Sequence, residues 1–155
     1  MSNSIRARVE QLGLSLPPLT SPAANYVSRV RTGNLLYLSG QIAQQQGEPA
    51  YIGKLGREFN VEQGQLAALS CGLSLIAHII QATDDRLDQV RKVVRLGGFV
   101  NATPEFTAHS QVVNGASDLM VSVFGDAGRH VRTSVGVGSL PVGVAVEVDA
   151  IIELA

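Results

Sequence analysis

The segment from position 61 to position 83 leaves this chain few ways to fold. Leu66, Leu69, Leu73, Ile76 and Ile80 recur at three- and four-residue spacing and form one apolar stripe of a helix. Ala67, Ala68, Leu75 and Ile79 widen that stripe, so the helix must be buried on much of its surface. Thr83-Asp84-Asp85 ends it or begins the next segment. Such a helix needs other elements to cover it, and the chain on either side reads as strand.

Positions 26–31 alternate in the manner of a strand. Thr32-Gly33-Asn34 is turn chemistry, 35–38 reads as a second strand, and Ser39-Gly40-Gln41 ends the hairpin. Positions 90–100 are rich in β-branched residues and predict a third strand, with Gly97-Gly98 as a bulge or a close approach. Val112, Val113, Ala116, Leu119, Met120 and Val123 predict a second helix closing near Gly125. Positions 131–137 and 144–152 are the last two strands. Near the start, Ile5, Val9 and Leu12 suggest a short helix capped by Ser4 and ended by Pro17-Pro18. Positions 44–60 carry Gly47, Pro49, Gly53 and Gly56 and predict a long surface loop. The order ββ-α-β-α-ββ predicts an α+β fold, a mixed β-sheet with two helices packed on one face, plus an N-terminal helix. Without a break in composition, 1–155 reads as one domain, with 1–23 as an N-terminal helical extension.

Charge and composition exclude several functions. The formal net charge is −1, aromatic residues make up 5% and there is no Trp, which argues against nucleic acid as a partner. Cys71 is the only cysteine, so no internal disulfide forms, as suits a reducing compartment. It lies within the predicted helix without a cationic neighbour and reads as a buried structural thiol. The first twenty residues lack the apolar core of a signal peptide, and the apolar run 73–80 is interrupted by Ser74 and His78 and is too short for a bilayer. The expectation is a cytoplasmic protein with no membrane partner. His78, His109 and His130 have no metal-ligand spacing, so no metal site is expected, and His78 reads as a satisfied core or interface histidine. Asp84-Asp85-Arg86 reads as a solvated cap. Gly136-Val137-Gly138 lacks the third glycine and following helix of a dinucleotide fingerprint, and there is neither a P-loop nor a nucleophile elbow.

The stretch from Arg132 to Glu147 carries the candidate chemistry. Read as a hairpin with Val137 opposite Val144, it sets Arg132 opposite Asp149 and Ser134 opposite Glu147. Arg132 and Glu147 then become diagonal neighbours on one sheet face. A fixed cation beside a fixed carboxylate can hold an acid substrate and activate water. An ordinary cross-strand ion pair has the same pattern, is common and is worth little.

Taken together, Tyr26-Val27, Gly33-Asn34, Leu38-Ser39-Gly40-Gln41-Ile42, Asn114, Arg132-Thr133-Ser134-Val135, Leu140-Pro141 and Val146-Glu147-Val148 resemble the YjgF/RidA family, also labelled L-PSP or UK-type translation-inhibitor proteins. The similarity runs from about Ala24 to the C-terminus. It implies a chorismate-mutase-like fold and a homotrimer with clefts between neighbouring subunits. It also implies cofactor-free hydrolysis of reactive 2-imino acids, the enamine/imine products of pyridoxal-phosphate enzymes, to 2-oxo acids and ammonia. The partner would be a small carboxylate-bearing imine or 2-oxo acid. By resemblance, Arg132 grips the carboxylate, Glu147 handles the attacking water, and Tyr26, Ser39, Gly40, Asn114 and Ser134 line the substrate pocket. These residue types suit such chemistry. Guanidinium offers parallel donors to a planar carboxylate, and an electrophilic iminium carbon needs only an oriented water and moved protons.

The chain departs from that pattern at Ser134, where many relatives have cysteine, and at Gly136, where many have glutamate. The N-terminal helix and the 44–60 loop make it longer than the typical member, and the loop could cover the cleft. Two rival readings stand beside imine deaminase. One is a non-enzymatic small-acid-binding module on the same scaffold. The other is the endoribonuclease of the family's older label, which charge and aromatic content oppose.

Overall fold

The long helix begins at a reciprocal cap. The Asn60 side chain accepts from the Gln63 backbone N–H, and the Gln63 side chain accepts from the Asn60 N–H. In the computed structural model, which describes residues 2–19, 21–22 and 24–155, this helix spans Val61–Thr83 and ends with Asp84 in the left-handed region at φ 51°. Positions 1, 20 and 23 of the predicted N-terminal extension lie outside the described residues. The elements in chain order are α1 (Ile5–Gln11), β1 (Arg29–Thr32), β2 (Leu35–Ile42), β3 (Gln44–Gln45), β4 (Glu48–Pro49), α2 (Val61–Thr83), β5 (Val90–Asn101), α3 (His109–Phe124), β6 (Val131–Val137) and β7 (Val146–Leu154).

By length and apolarity the 23-residue α2 could cross a membrane, and it extends well beyond the 73–80 run read from the sequence. Of its most apolar 18-residue window, 78% is buried inside the fold, so that surface belongs to the core. Strands β1, β2, β7, β5 and β6 form one sheet in that order, antiparallel except for the parallel pair β5–β6. Helices α2 and α3 cover one face. Along β7, Val146, Val148, Ala150, Ile152 and Leu154 are buried beneath them, while the alternate residues look out from the other face. The mixed sheet, the two helices on one face and the additional N-terminal helix match the α+β expectation.

The predicted terminal hairpin does not form. Strand β5 lies between β6 and β7, pairing Leu96 with Arg132 on one side and Phe99 with Glu147 on the other. The reason lies in the 44–60 segment. It is tied down rather than a free surface loop: Ile52 bridges Val144, the Ala145 N–H donates to the Tyr51 carbonyl, and Gly53 N–H donates to the Gly143 carbonyl. The Lys54 ammonium donates to the side chain of buried Asn101 at 2.6 Å and to the Gly138 carbonyl at 2.5 Å. Backbone groups that would close a hairpin are thereby used by this segment, and the chain crosses over the end of β5 instead.

Three smaller expectations also change. Strand β1 begins at Arg29, not at position 26: its regular pairing with β2 ends at Arg29 opposite Leu38, and beyond that point the Ser39 hydroxyl and N–H donate to the carbonyls of Val27 and Ser28. Asp85 is no solvated cap. It accepts from the Ser4 hydroxyl at 2.6 Å and the Arg6 N–H at 2.8 Å, fastening α1, whose Ile5 and Val9 enter the core. His78 is buried as expected but not satisfied, since its Nδ1 has no partner among the described residues. Burial, and then Arg29, hold its pKa below the ordinary histidine value.

The two helices meet where Gly115 lets α3 rest on the α2 backbone. A Cβ there would overlap the carbonyl oxygen of Gln65, a backbone atom that cannot swing aside. Gly115→Ala should therefore destabilise the fold by about 2 kcal/mol despite alanine's better helix propensity. Urea denaturation checks this, and an unchanged midpoint would contradict the packing described.

Candidate active site

The predicted site residues fall into two groups on opposite faces of the sheet. Glu147 points from the open face of β7, between Ile42 of β2 and Phe99 of β5. Its carboxyl lies over Gly40, where any Cβ would collide with Oε2. The extra residue of the Ser39-Gly40 bulge makes this seat, and glycine keeps it open. A cavity of about 360 Å³ opens beside it, lined by Tyr26, Ser39, Gly40, Gln41 and Pro141, with Ser21 and Pro22 of the N-terminal segment as a further wall. None of its lining residues comes from 44–60, so that segment does not cover this cavity. Among the described residues, no cation pairs with Glu147 and no hydrogen bond reaches it. Burial first, and then the neighbouring Asp149 carboxylate, raise its pKa above the ordinary carboxylate range. Asp149 itself lies 3.5 Å from Arg95.

Arg132 lies on the helix side of the edge strand β6. Its Nη1 donates to the Ser117 hydroxyl at 3.0 Å, and its Nη2 donates to the Ser110 carbonyl at 3.1 Å. Ser110, Asn114 and Ser117 follow one another at four- and three-residue spacing and make a polar stripe along α3. Asn114 therefore stands on the strip that holds Arg132. Ser134, two residues along β6 on the same side, has a buried hydroxyl with no partner among the described residues. Further along, Gly136 leaves room for the His109 ring, which a Cβ there would strike. Among the described residues no carboxylate pairs with Arg132.

Glu147, Tyr26, Ser39 and Gly40 thus stand together, and so do Arg132, Ser134 and Asn114. Within one chain the two groups do not share a cavity. The diagonal approach of Arg132 and Glu147 read from the sequence is absent, because β5 separates their strands and the two side chains leave the sheet on opposite faces. The sequence reading also missed Ser110, Ser117 and His130 behind Arg132. The i, i+4, i+7 spacing of Ser110, Asn114 and Ser117 was the available signal. Among the described residues no three His, Cys, Asp or Glu side chains gather as metal ligands would.

Residues 6–154 match the family described as "YjgF/chorismate mutase-like, putative endoribonuclease". The chain belongs to the YjgF/RidA family. Protein TCP17 of Trypanosoma cruzi is 47% identical over 154 residues, covering 99% of this chain and 96% of that protein. The crystal structure of Atu1372 from Agrobacterium tumefaciens, called a protein of unknown function, is 42% identical with a TM-score of 0.90 over 98% of this chain and 94% of that one. A Shewanella oneidensis protein, called a putative endoribonuclease, is 32% identical with a TM-score of 0.93 over 98% of this chain and 100% of that one. This YjgF/RidA chain resembles those relatives along nearly its whole length, the N-terminal segment that walls the Glu147 cavity included.

Cys71 takes no part in either group. It is fully buried, with Sγ 3.4 Å from the Val146 carbonyl, and burial followed by the Glu147 charge pushes its thiol pKa far up. The native protein should give no thiol reaction with Ellman's reagent at pH 8, and one equivalent in guanidinium chloride. Rapid labelling of the native protein would contradict this burial.

Proposed function

We propose that this protein hydrolyses small 2-imino acids to 2-oxo acids and ammonia, in clefts where Arg132 of one copy faces Glu147 of the next. The observation that carries the reading is a partly buried arginine and a half-buried glutamate, each without a counter-charge among the described residues, on opposite faces of one sheet. Unpaired charges of that kind are kept where a ligand or a partner completes them. The open sheet face supports assembly: Val30, Tyr37, Val131 and Val135 are 51%, 44%, 68% and 39% exposed on it, an apolar surface that copies of the chain would cover. A homotrimer is the assembly the family resemblance implies.

The remaining N–H groups of Arg132 take the substrate carboxylate as a planar fork. The imine carbon beside that carboxylate is already electrophilic. Glu147 removes a proton from a water as its oxygen bonds that carbon, and the C=N electron pair moves to nitrogen. The same carboxyl then returns its proton to nitrogen. Glu147 next takes the remaining hydroxyl proton and passes it to the amine nitrogen as the C–N bond breaks, so that the C=O bond closes and ammonia leaves. A carboxyl whose pKa is raised suits both halves of this exchange, since it takes a proton more readily than an ordinary glutamate and still gives it up. Tyr26, Ser39 and Gly40 shape the Glu147 side of the cleft, and Asn114 and Ser134 the Arg132 side.

A threonine dehydratase supplies the imine, and ammonia release is followed with and without the protein. The wild-type chain should accelerate it. Arg132→Ala should abolish binding of 2-oxobutyrate. Glu147→Gln should keep that binding and lower turnover by about 10²–10⁴-fold. Gly40→Ala should reproduce the Glu147→Gln loss with a near-native melting temperature, because the flexible carboxyl swings aside. A wild-type protein that binds 2-oxobutyrate without accelerating ammonia release would instead be a small-acid-binding module.

A further inference from the structure

Behind Arg132 the hydrogen-bond directions are fixed by chemistry. The Gly128 carbonyl can only accept, and it lies 2.6 Å from Nδ1 of His130, so that nitrogen carries a proton. In a neutral imidazole Nε2 is then the acceptor. The Ser117 hydroxyl, 2.8 Å away, donates to it and keeps its lone pairs for the Arg132 Nη1 proton at 3.0 Å. The result is one directed chain, from Arg132 to Ser117 to His130 to the Gly128 carbonyl. With Nη2 tied to the Ser110 carbonyl, the guanidinium is held at two of its five protons, and the other three have no partner among the described residues.

We infer that Ser117 and His130 are positioning residues that hold the Arg132 guanidinium in one plane before the substrate carboxylate arrives. This rests on the reading of Arg132 given above. An arginine on a flexible stem has many rotamers, and one already fixed by a hydrogen-bond chain removes that ordering from the binding step. The polar pair is otherwise unexplained. Ser117 sits one turn from the buried Val113 and Met120 of α3 and next to the buried Ala116, and His130 pairs with no carboxylate among the described residues. The charged groups facing His130 are Arg132 on β6 and Lys92 on β5; α3 offers only Ser117, and the turn at 125–128 only the Gly128 carbonyl. Burial first, and then the two cations, lower the pKa of the ring against the opposing Gly128 hydrogen bond, the direction that favours the neutral imidazole of this chain.

Calorimetry with 2-oxobutyrate on the full-length protein tests this. Ser117→Ala and His130→Leu should each weaken binding about tenfold, as expected for losing the partner of a charged hydrogen bond. In turnover the same variants should raise KM and leave kcat near its wild-type value. Ser117→Thr and His130→Gln keep the hydroxyl and the acceptor and should restore binding. Wild-type affinity in Ser117→Ala and His130→Leu, with Arg132→Ala inactive in binding, would overturn the inference alone. Unchanged binding in Arg132→Ala would instead remove the functional reading. Nitrogen NMR of the imidazole decides the network whether or not that acid binds. The ring should carry its proton on Nδ1, and Arg132→Ala should raise its pKa. An Nε2–H tautomer, or a titration indifferent to Arg132, would overturn it.

Discussion

Alternation along two β-strands decides what this molecule can do. On β7 every second residue is buried under the helices, which puts Glu147 on the open face. On β6 the helix side belongs to Arg132, Ser134 and Gly136. Because β5 separates the two strands, no side-chain rotation brings Arg132 and Glu147 together. Each half is nonetheless prepared in detail. Glu147 has a glycine seat made by a bulge, and Arg132 has a polar stripe of α3 behind it. Two prepared halves without a meeting point in one chain are what the proposed assembly of copies would join.

The same arrangement explains where the chain spends its polar groups. The core between α2, α3 and the sheet is almost wholly aliphatic. Its buried polar side chains mostly serve the backbone, as where the Ser70 hydroxyl accepts from the Gln44 N–H and where Asn101 donates to the Val144 carbonyl. Such groups fix the path of 44–60 and 138–145, which sets the register of β7 and so the face on which Glu147 emerges. Stability and site geometry are linked through these few hydrogen bonds.

Much of this was legible in the sequence, for reasons that differ by element. The apolar stripe of α2 and the spacing of Val112, Val113, Ala116, Leu119, Met120 and Val123 in α3 are local patterns with one interpretation. The residues now found around Glu147 and around Arg132 were named through the ungapped family motifs, but as one pocket; their division between two faces of the sheet was not legible. Nor were strand partners. Two alternating segments joined by glycine and proline look like a hairpin, and nothing local to 131–152 reveals that β5 enters between them. That outcome depends on Ile52, Lys54 and Asn101, far away in sequence. The roles of Asp85 and His130 were hidden for the same reason, since their partners, Ser4 in one case and Ser117 in the other, lie 81 and 13 residues away.

Complementation between two inactive variants tests the central claim most directly. Arg132→Ala and Glu147→Gln chains are denatured together in equal amounts, refolded, and assayed for imine hydrolysis beside each variant refolded alone. If each cleft takes its arginine from one copy and its glutamate from the next, every mixed trimer contains one intact cleft. The mixture should then recover about one quarter of wild-type activity. A mixture no more active than the two variants refolded separately would contradict the account.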